Sequence, residues 1–157
     1  MSDLEGFADL QASCPPGTSL VGPVGPSGTG RTVNDRLTAA CMRPDGTRHG
    51  PSVTWYANGS KALAGDYQDG LQEGEWLFWH ENGQMSGRGS FQQGKPHGTW
   101  TTWHDNGQKE SEGSYTDGLH HGRFEHWDRN GEVVQVLEYD NGNLIQRTLY
   151  KDGSPGG

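Results

Sequence analysis

The stretch GEWLFWHENGQMSGRGSFQQGKPHGTWTTWHDNG, residues 74–107, decides the fold because it begins to repeat itself before it ends. Gly74, Trp79 and Asn82-Gly83 return as Gly98, Trp103 and Asn106-Gly107. The same set precedes the stretch as Gly50, Trp55 and Asn58-Gly59, and follows it as Gly122, Trp127 and Asn130-Gly131. A second aromatic (Tyr67, Phe91, Tyr115, Tyr139) and a second turn glycine (Gly70, Gly94, Gly118, Gly142) keep the same step of 24 residues. A fixed period of this length signals a repeat architecture.

Asn-Gly and Asp-Gly are the pairs that tolerate positive φ, so each unit reads as one β-hairpin. Removing the turns leaves segments of about 5–8 residues, ordinary strand lengths. The expected fold is all-β: an elongated single antiparallel sheet of tandem hairpins, eight or nine strands wide. Strand alternation puts Trp55, Trp79, Trp103 and Trp127 on one face with Val53, Leu77, Thr101 and Glu125. The other face carries Ser52, Trp76, Trp100 and Phe124, then Thr54, Phe78, Thr102 and His126. Gly65, Gly89 and Gly113 lie inside strands, where a glycine marks a close approach, and are expected to be notches for tryptophan rings. The Trp55 series and the turn glycines Gly59, Gly83, Gly107 and Gly131 are assigned structural roles.

The repeat domain is drawn over residues 37–150, with a half-repeat at 37–46, units opening at Gly50, Gly74, Gly98 and Gly122, and a closing strand near 143–150. Residues 1–36 read as an irregular Gly/Pro-rich lead, with a short helix around Leu4, Phe7 and Leu10. Residues 151–157, KDGSPGG, read as a disordered tail. Cys14 and Cys41 bracket the Gly/Pro segment. A disulfide pinning the lead to the first strand and two separate thiols in a reducing compartment are both compatible with this spacing.

The apolar fraction is only 29%, with 26 glycines and 6 tryptophans, which suits a thin array rather than a thick core. A formal charge of -8 disfavours nucleic acid and anionic lipid as partners. No apolar run reaches the roughly 18 residues of a membrane helix. The N-terminus lacks the pattern of a secretory signal, so the cytoplasm is the default compartment.

The rows GxWxxWHxNGQ, a glycine two residues before an aromatic, and DGxxHG resemble the bacterial variant of the MORN repeat, over about residues 41–142. The resemblance implies an elongated sheet of β-hairpins and a binding or scaffolding role. Members of that group are often labelled antitoxin-like. It supplies no catalytic residues.

No enzymatic set emerges from the residues themselves. There is no Ser-His-Asp arrangement, nucleophile elbow, P-loop or dinucleotide fingerprint. Equivalent histidines such as His97 and His121 stand one unit apart, about 10 Å, too far to share a zinc ion that needs each nitrogen within roughly 2.1 Å. No metal or other cofactor is expected. The aromatics make the best functional case: Trp76, Phe78, Trp100 and Phe124, with His80 and His104, are read as a partner-binding face. The leading expectation is a non-enzymatic interaction or scaffold module for a protein partner, with a basic, toxin-like or effector surface as the complement of its charge. Self-association through the terminal strand edges is a further route. The alternative is a ligand-binding repeat that takes choline-like or glycan groups on its tryptophans, since the rows also weakly resemble choline-binding repeats.

Overall fold

A computed structural model describes residues 6–22, 32–33, 36–151 and 154–156. One short helix, α1 (Phe7–Ala12), precedes β1 (Ser19–Val21), β2 (Thr32–Val33), β3 (Arg36–Met42), β4 (Arg48–Trp55), β5 (Lys61–Gln68) and β6 (Leu71–Trp79). Then come β7 (Met85–Gln92), β8 (Lys95–Trp103), β9 (Lys109–Thr116), β10 (Leu119–Trp127), β11 (Val133–Asp140), β12 (Asn143–Lys151) and β13 (Ser154–Gly156). Among the described residues these form one open antiparallel sheet of thirteen strands, in the order β1-β3-β4 through β13, with β2 also paired to β3. The strands exceed the eight or nine expected because lead and tail both add pairs. β1 joins β3, and Ser154–Gly156, expected to be disordered, pairs with Leu149–Lys151.

The two edges of the sheet use different turns. At Asp69-Gly70, Gln93-Gly94, Asp117-Gly118 and Asn141-Gly142 both central residues have positive φ (51° and 85° in the first), as a two-residue type I′ hairpin requires. At the Asn-Gly edge only the glycine does, with φ 87° at Gly59. There Gly59 N–H donates to the Tyr56 carbonyl at 3.0 Å and Tyr56 N–H to that of Ser60 at 2.9 Å. The asparagine serves through its side chain instead: Asn82 Oδ1 accepts from Gln84 N–H at 2.9 Å.

Two glycines per unit shape the strands between those turns. Arg88 pairs with Thr101 and Ser90 with His97, so Gly89 alone faces Gly98, Thr99 and Trp100. Gly98 takes up the excess at φ 72°, a bulge that throws Trp100 back across the neighbouring strand. The indole comes to rest on Gly89, where an added Cβ would lie 2.0 Å from the ring. Trp100 Nε1–H then donates to the Ser90 carbonyl at 3.1 Å. Trp76 sits the same way on Gly65, and Phe124 on Gly113, at 2.2 and 2.3 Å. The notches expected from glycine spacing are these three sites.

The seated rings alternate with the second-strand aromatics in one continuous ladder: Tyr67, Trp76, Phe91, Trp100, Tyr115, Phe124, Tyr139. Successive centroids are 5.0–6.2 Å apart at 75–89°, the edge-to-face geometry favoured by ring quadrupoles. Among the described residues no second layer covers this ladder.

Among the described residues the opposite, outer face is covered by a helix at its first unit. Leu10 of α1 packs with Ala39, Val53 and Trp55, flanked by Phe7, Leu20, Leu37 and Ala64. The lead is therefore docked where it is described, rather than irregular; Leu4 lies outside the described residues. Cys14 and Cys41 are bonded, with their Cα atoms 5.4 Å apart, which ties the end of α1 to β3. Cys41 and Ser52 occupy the sequence positions that hold Gly65 and Trp76 one period later, but here Ser52 pairs with Ala40, and Cys41 follows Ala39 on the face that α1 covers.

Gly89→Ala should cost about 3 kcal/mol, because the ring cannot retreat from the bulged backbone. Gly83→Ala, at positive φ in open space, should cost about 1–2 kcal/mol. Urea unfolding of the two variants separates steric from conformational cost, and equal losses would mean the indole does not rest on Gly89. Replacing both cysteines by serine should remove roughly 3–4 kcal/mol by the loop-entropy argument, read from the same unfolding curves.

Candidate interaction surface

The six residues expected to meet a partner are engaged within the chain. Trp76 is 0% exposed and Phe124 7%, and Trp100 stands in the ladder between Phe91 and Tyr115. Phe78 packs against Trp100 at 6.0 Å and lies over Gly87. His80 Nε2 bonds the Trp103 carbonyl at 2.7 Å, and His104 Nε2 that of Trp127 at 2.9 Å. A carbonyl can only accept, so both imidazoles carry a proton on Nε2. Tyr56 does the same in the first unit, its hydroxyl donating to the Trp79 carbonyl at 2.6 Å. These side chains are staples between units. Trp76 and Phe124 are covered by the chain, while Phe78, Trp100, His80 and His104 are half-buried and keep part of their surface.

Asparagine adds a second staple along the same edge. Asn82 Nδ2 donates to the Asp105 carbonyl and Asn106 Nδ2 to that of Arg129, both at 2.8 Å. On the opposite edge the turn glycines link backbone to backbone, as in Gly94 N–H to the Gln72 carbonyl at 2.9 Å. Each unit is thereby held at the ladder and at both turns, which makes the sheet a stiff support.

Beyond the first unit the outer face is partly accessible as well. The tryptophan series assigned a structural role divides here. Trp55 is 0% exposed beneath α1, whereas Trp79, Trp103 and Trp127 are only half-buried. Lys61 Nζ stands 5.9 Å from the Trp79 ring centroid, and Lys109 Nζ 5.3 Å from that of Trp127, both within cation–π range. Between them a groove of about 320 Å³ is lined by Arg88, Thr99, Thr101, Trp103, Lys109 and Glu112 among others. Its charges are matched locally. Arg88 bridges Glu75 at 2.7 Å, and Lys109 bridges Glu112 at 2.9 Å. Thr101 Oγ1 also donates to Glu112 Oε2 at 3.1 Å, and the Lys109 hydrogen bond above all holds the Glu112 carboxyl below the ordinary glutamate range. On the ladder side, burial pushes the Tyr115 phenol up.

The sequence contained a signal for this division. On the ladder face the rings are opposed by glycines, the mark of close packing. On the outer face the residues beside the tryptophans change from Val53 and Leu77 to Thr101 and Glu125, the mark of growing exposure.

The arrangement has the units of a known repeat. Residues 72–93, 96–117 and 121–141 match the family model of the MORN repeat variant. Each matched segment contributes a ring seated on a strand glycine, Trp76, Trp100 or Phe124, and the first unit, with Ser52 at the ring position, is not among them. The crystal structure of TarM aligns with 72% of this chain and 21% of its own, at 14% identity and a TM-score of 0.38. The chain thus spans about a fifth of that one. No curated protein matches. Among the described residues, no group of three or more His, Cys, Asp or Glu side chains could hold a metal ion, and no helix is long and apolar enough to cross a membrane.

Lys109→Met should raise the Glu112 carboxyl pKa towards its ordinary value. A depressed carboxyl contributes stability above the unfolded-state pKa and loses it as pH falls through the folded value. The variant should therefore show a higher Glu112 titration midpoint by carbon-detected NMR and a shallower loss of stability on acidification.

Proposed function

We propose that this protein is a non-enzymatic interaction module that presents the outer tryptophan row, Trp79, Trp103 and Trp127, to a protein partner. One observation carries the reading: Trp79, Trp103 and Trp127 stand half-exposed in a row on a sheet stapled at both edges, whereas Trp76 and Phe124 of the ladder are buried. Unit repetition places equivalent indoles about 10 Å apart. Tryptophan and arginine are the residues that most often dominate binding energy at protein interfaces, and Arg88 stands in this row. The MORN-variant matches agree with a binding repeat. The net charge of -8 favours a partner whose remaining surface is basic, a toxin-like or effector protein being one such class.

A choline-like ligand is the weaker reading. Lysines of the chain itself already stand over two of the indoles, Trp79 and Trp127, and a quaternary ammonium would have to displace them.

The test is affinity capture from native lysate at low and high salt. A Trp103→Ala/Trp127→Ala double variant, checked for intact fold by circular dichroism, is run beside Leu119→Ser, which alters an exposed residue at the far edge. The double variant should lose a specific partner by at least about tenfold, as expected for hot-spot aromatics, while Leu119→Ser retains it. Retention by the double variant would refute the outer-row assignment. Loss of binding on adding salt would place charge, rather than the indoles, first.

A further inference from the structure

The first unit is already occupied, and by a piece of the same chain. Phe7 of α1 meets the Trp55 ring edge-on at 6.0 Å, and Leu10, one turn along, is buried beside Val53 and Ala39. At the start of the helix the Gly6 backbone lies against Lys61, so that an added Cβ would fall 3.0 Å from its Cε. The occupied site is thus a tryptophan, the lysine paired across from it in register, and the residue two before the tryptophan: Trp55, Lys61 and Val53.

The repeat rebuilds that site two units later. Trp103 pairs with Lys109 as Trp55 pairs with Lys61, each across the same one-residue bulge, and Thr101 stands where Val53 does. The intervening unit has Met85 at the lysine position. Around Trp103 and Lys109, where α1 would lie if it were carried along with its unit, there is instead the groove of about 320 Å³. Lys61 stands beside Gly6, just before α1, on one side and over Trp79 on the other.

Resting on the interaction-module reading, we infer that the Trp103–Lys109 groove takes a short partner helix with the chemistry of α1: an aromatic residue against the indole and a leucine one turn later. Arg88, Thr101 and Glu112 replace Ala39, Val53 and Ala64 beneath it. The partner helix therefore meets a more polar floor than α1 does, and it associates and releases where α1, held by the Cys14–Cys41 bond, stays. Helices that dock by aromatic and leucine anchors at this spacing are a general recognition mode.

The probe is a helix-locked peptide of residues 6–13, titrated to several millimolar into the full chain with the indole N–H signals followed by NMR. The Trp103 and Trp127 signals should shift together and saturably, those of Trp76 and Trp100 should not, and a Phe7→Ser peptide should leave all of them in place. Trp103→Ala should weaken binding by about tenfold, the scale of a hot-spot aromatic. No shift, or equal shifts with the Phe7→Ser peptide, would overturn the helix assignment. If that happened while partner capture still depended on Trp103 and Trp127, the interaction reading would stand and only the nature of the occupant would be wrong. Shifts confined to Trp55 would show exchange with the chain's own α1, and would also overturn the groove assignment.

Discussion

An aromatic ring lying directly on the backbone of a strand glycine is the contact on which this molecule depends. A single-layer sheet has nothing to bury its faces against, so hydrophobic burial must be found within the layer. A ring standing upright on a sheet would expose most of its surface. A ring laid flat over a neighbour without a Cβ loses one face to the backbone and its edges to the rings on either side. Glycine at 65, 89 and 113 supplies the space, and the left-handed glycines at 74, 98 and 122 supply the bulge that tips the ring into it. Neither set works without the other, which is why both recur at one spacing.

The end of the array shows the same constraint by its failure. Leu137 stands at the notch position and Gln146 at the bulge position. In the complete units one glycine faces three residues; here the pairs Glu138–Gln146 and Tyr139–Leu144 leave only Ile145 unpaired. With one residue fewer in the bulge, the strand after it is turned over relative to its counterparts. Leu144, Ile145 and Leu149 are then exposed at 52%, 69% and 48%, because no ring follows to cover them. At the other end the disulfide and α1 close the first unit from the opposite face, by covalent bond and helix packing.

This economy leaves the two faces with different tasks. The ladder face is complete in itself, and the turn staples add hydrogen bonds that bind neighbouring units at both edges. The outer face is lined by paired charges and indoles that need no cover to satisfy their polar groups.

Period, turn positions, strand lengths and the glycine notches were legible from the residues because each is a local rule of spacing: positive φ at Gly, alternation along a strand, recurrence at 24 residues. Alternation also separated the two tryptophan series correctly by face. Which series would be buried was not legible, since both faces carry aromatics and alternation has no sign. Trp76 and Phe124 are buried on backbone without a Cβ, which depends on register through a bulge of two extra residues, and Trp55 is buried by α1, while Trp100, Trp79, Trp103 and Trp127 are half-buried. The roles of His80 and His104 were likewise hidden, because their acceptors are carbonyls 23 residues ahead that come into reach only when units stack. The pairing of Cys14 with Cys41 and the docking of α1 on Trp55 were settled in the same way. Sequence spacing specifies what a unit can form, whereas the faces that units close against each other follow from their relative placement in three dimensions.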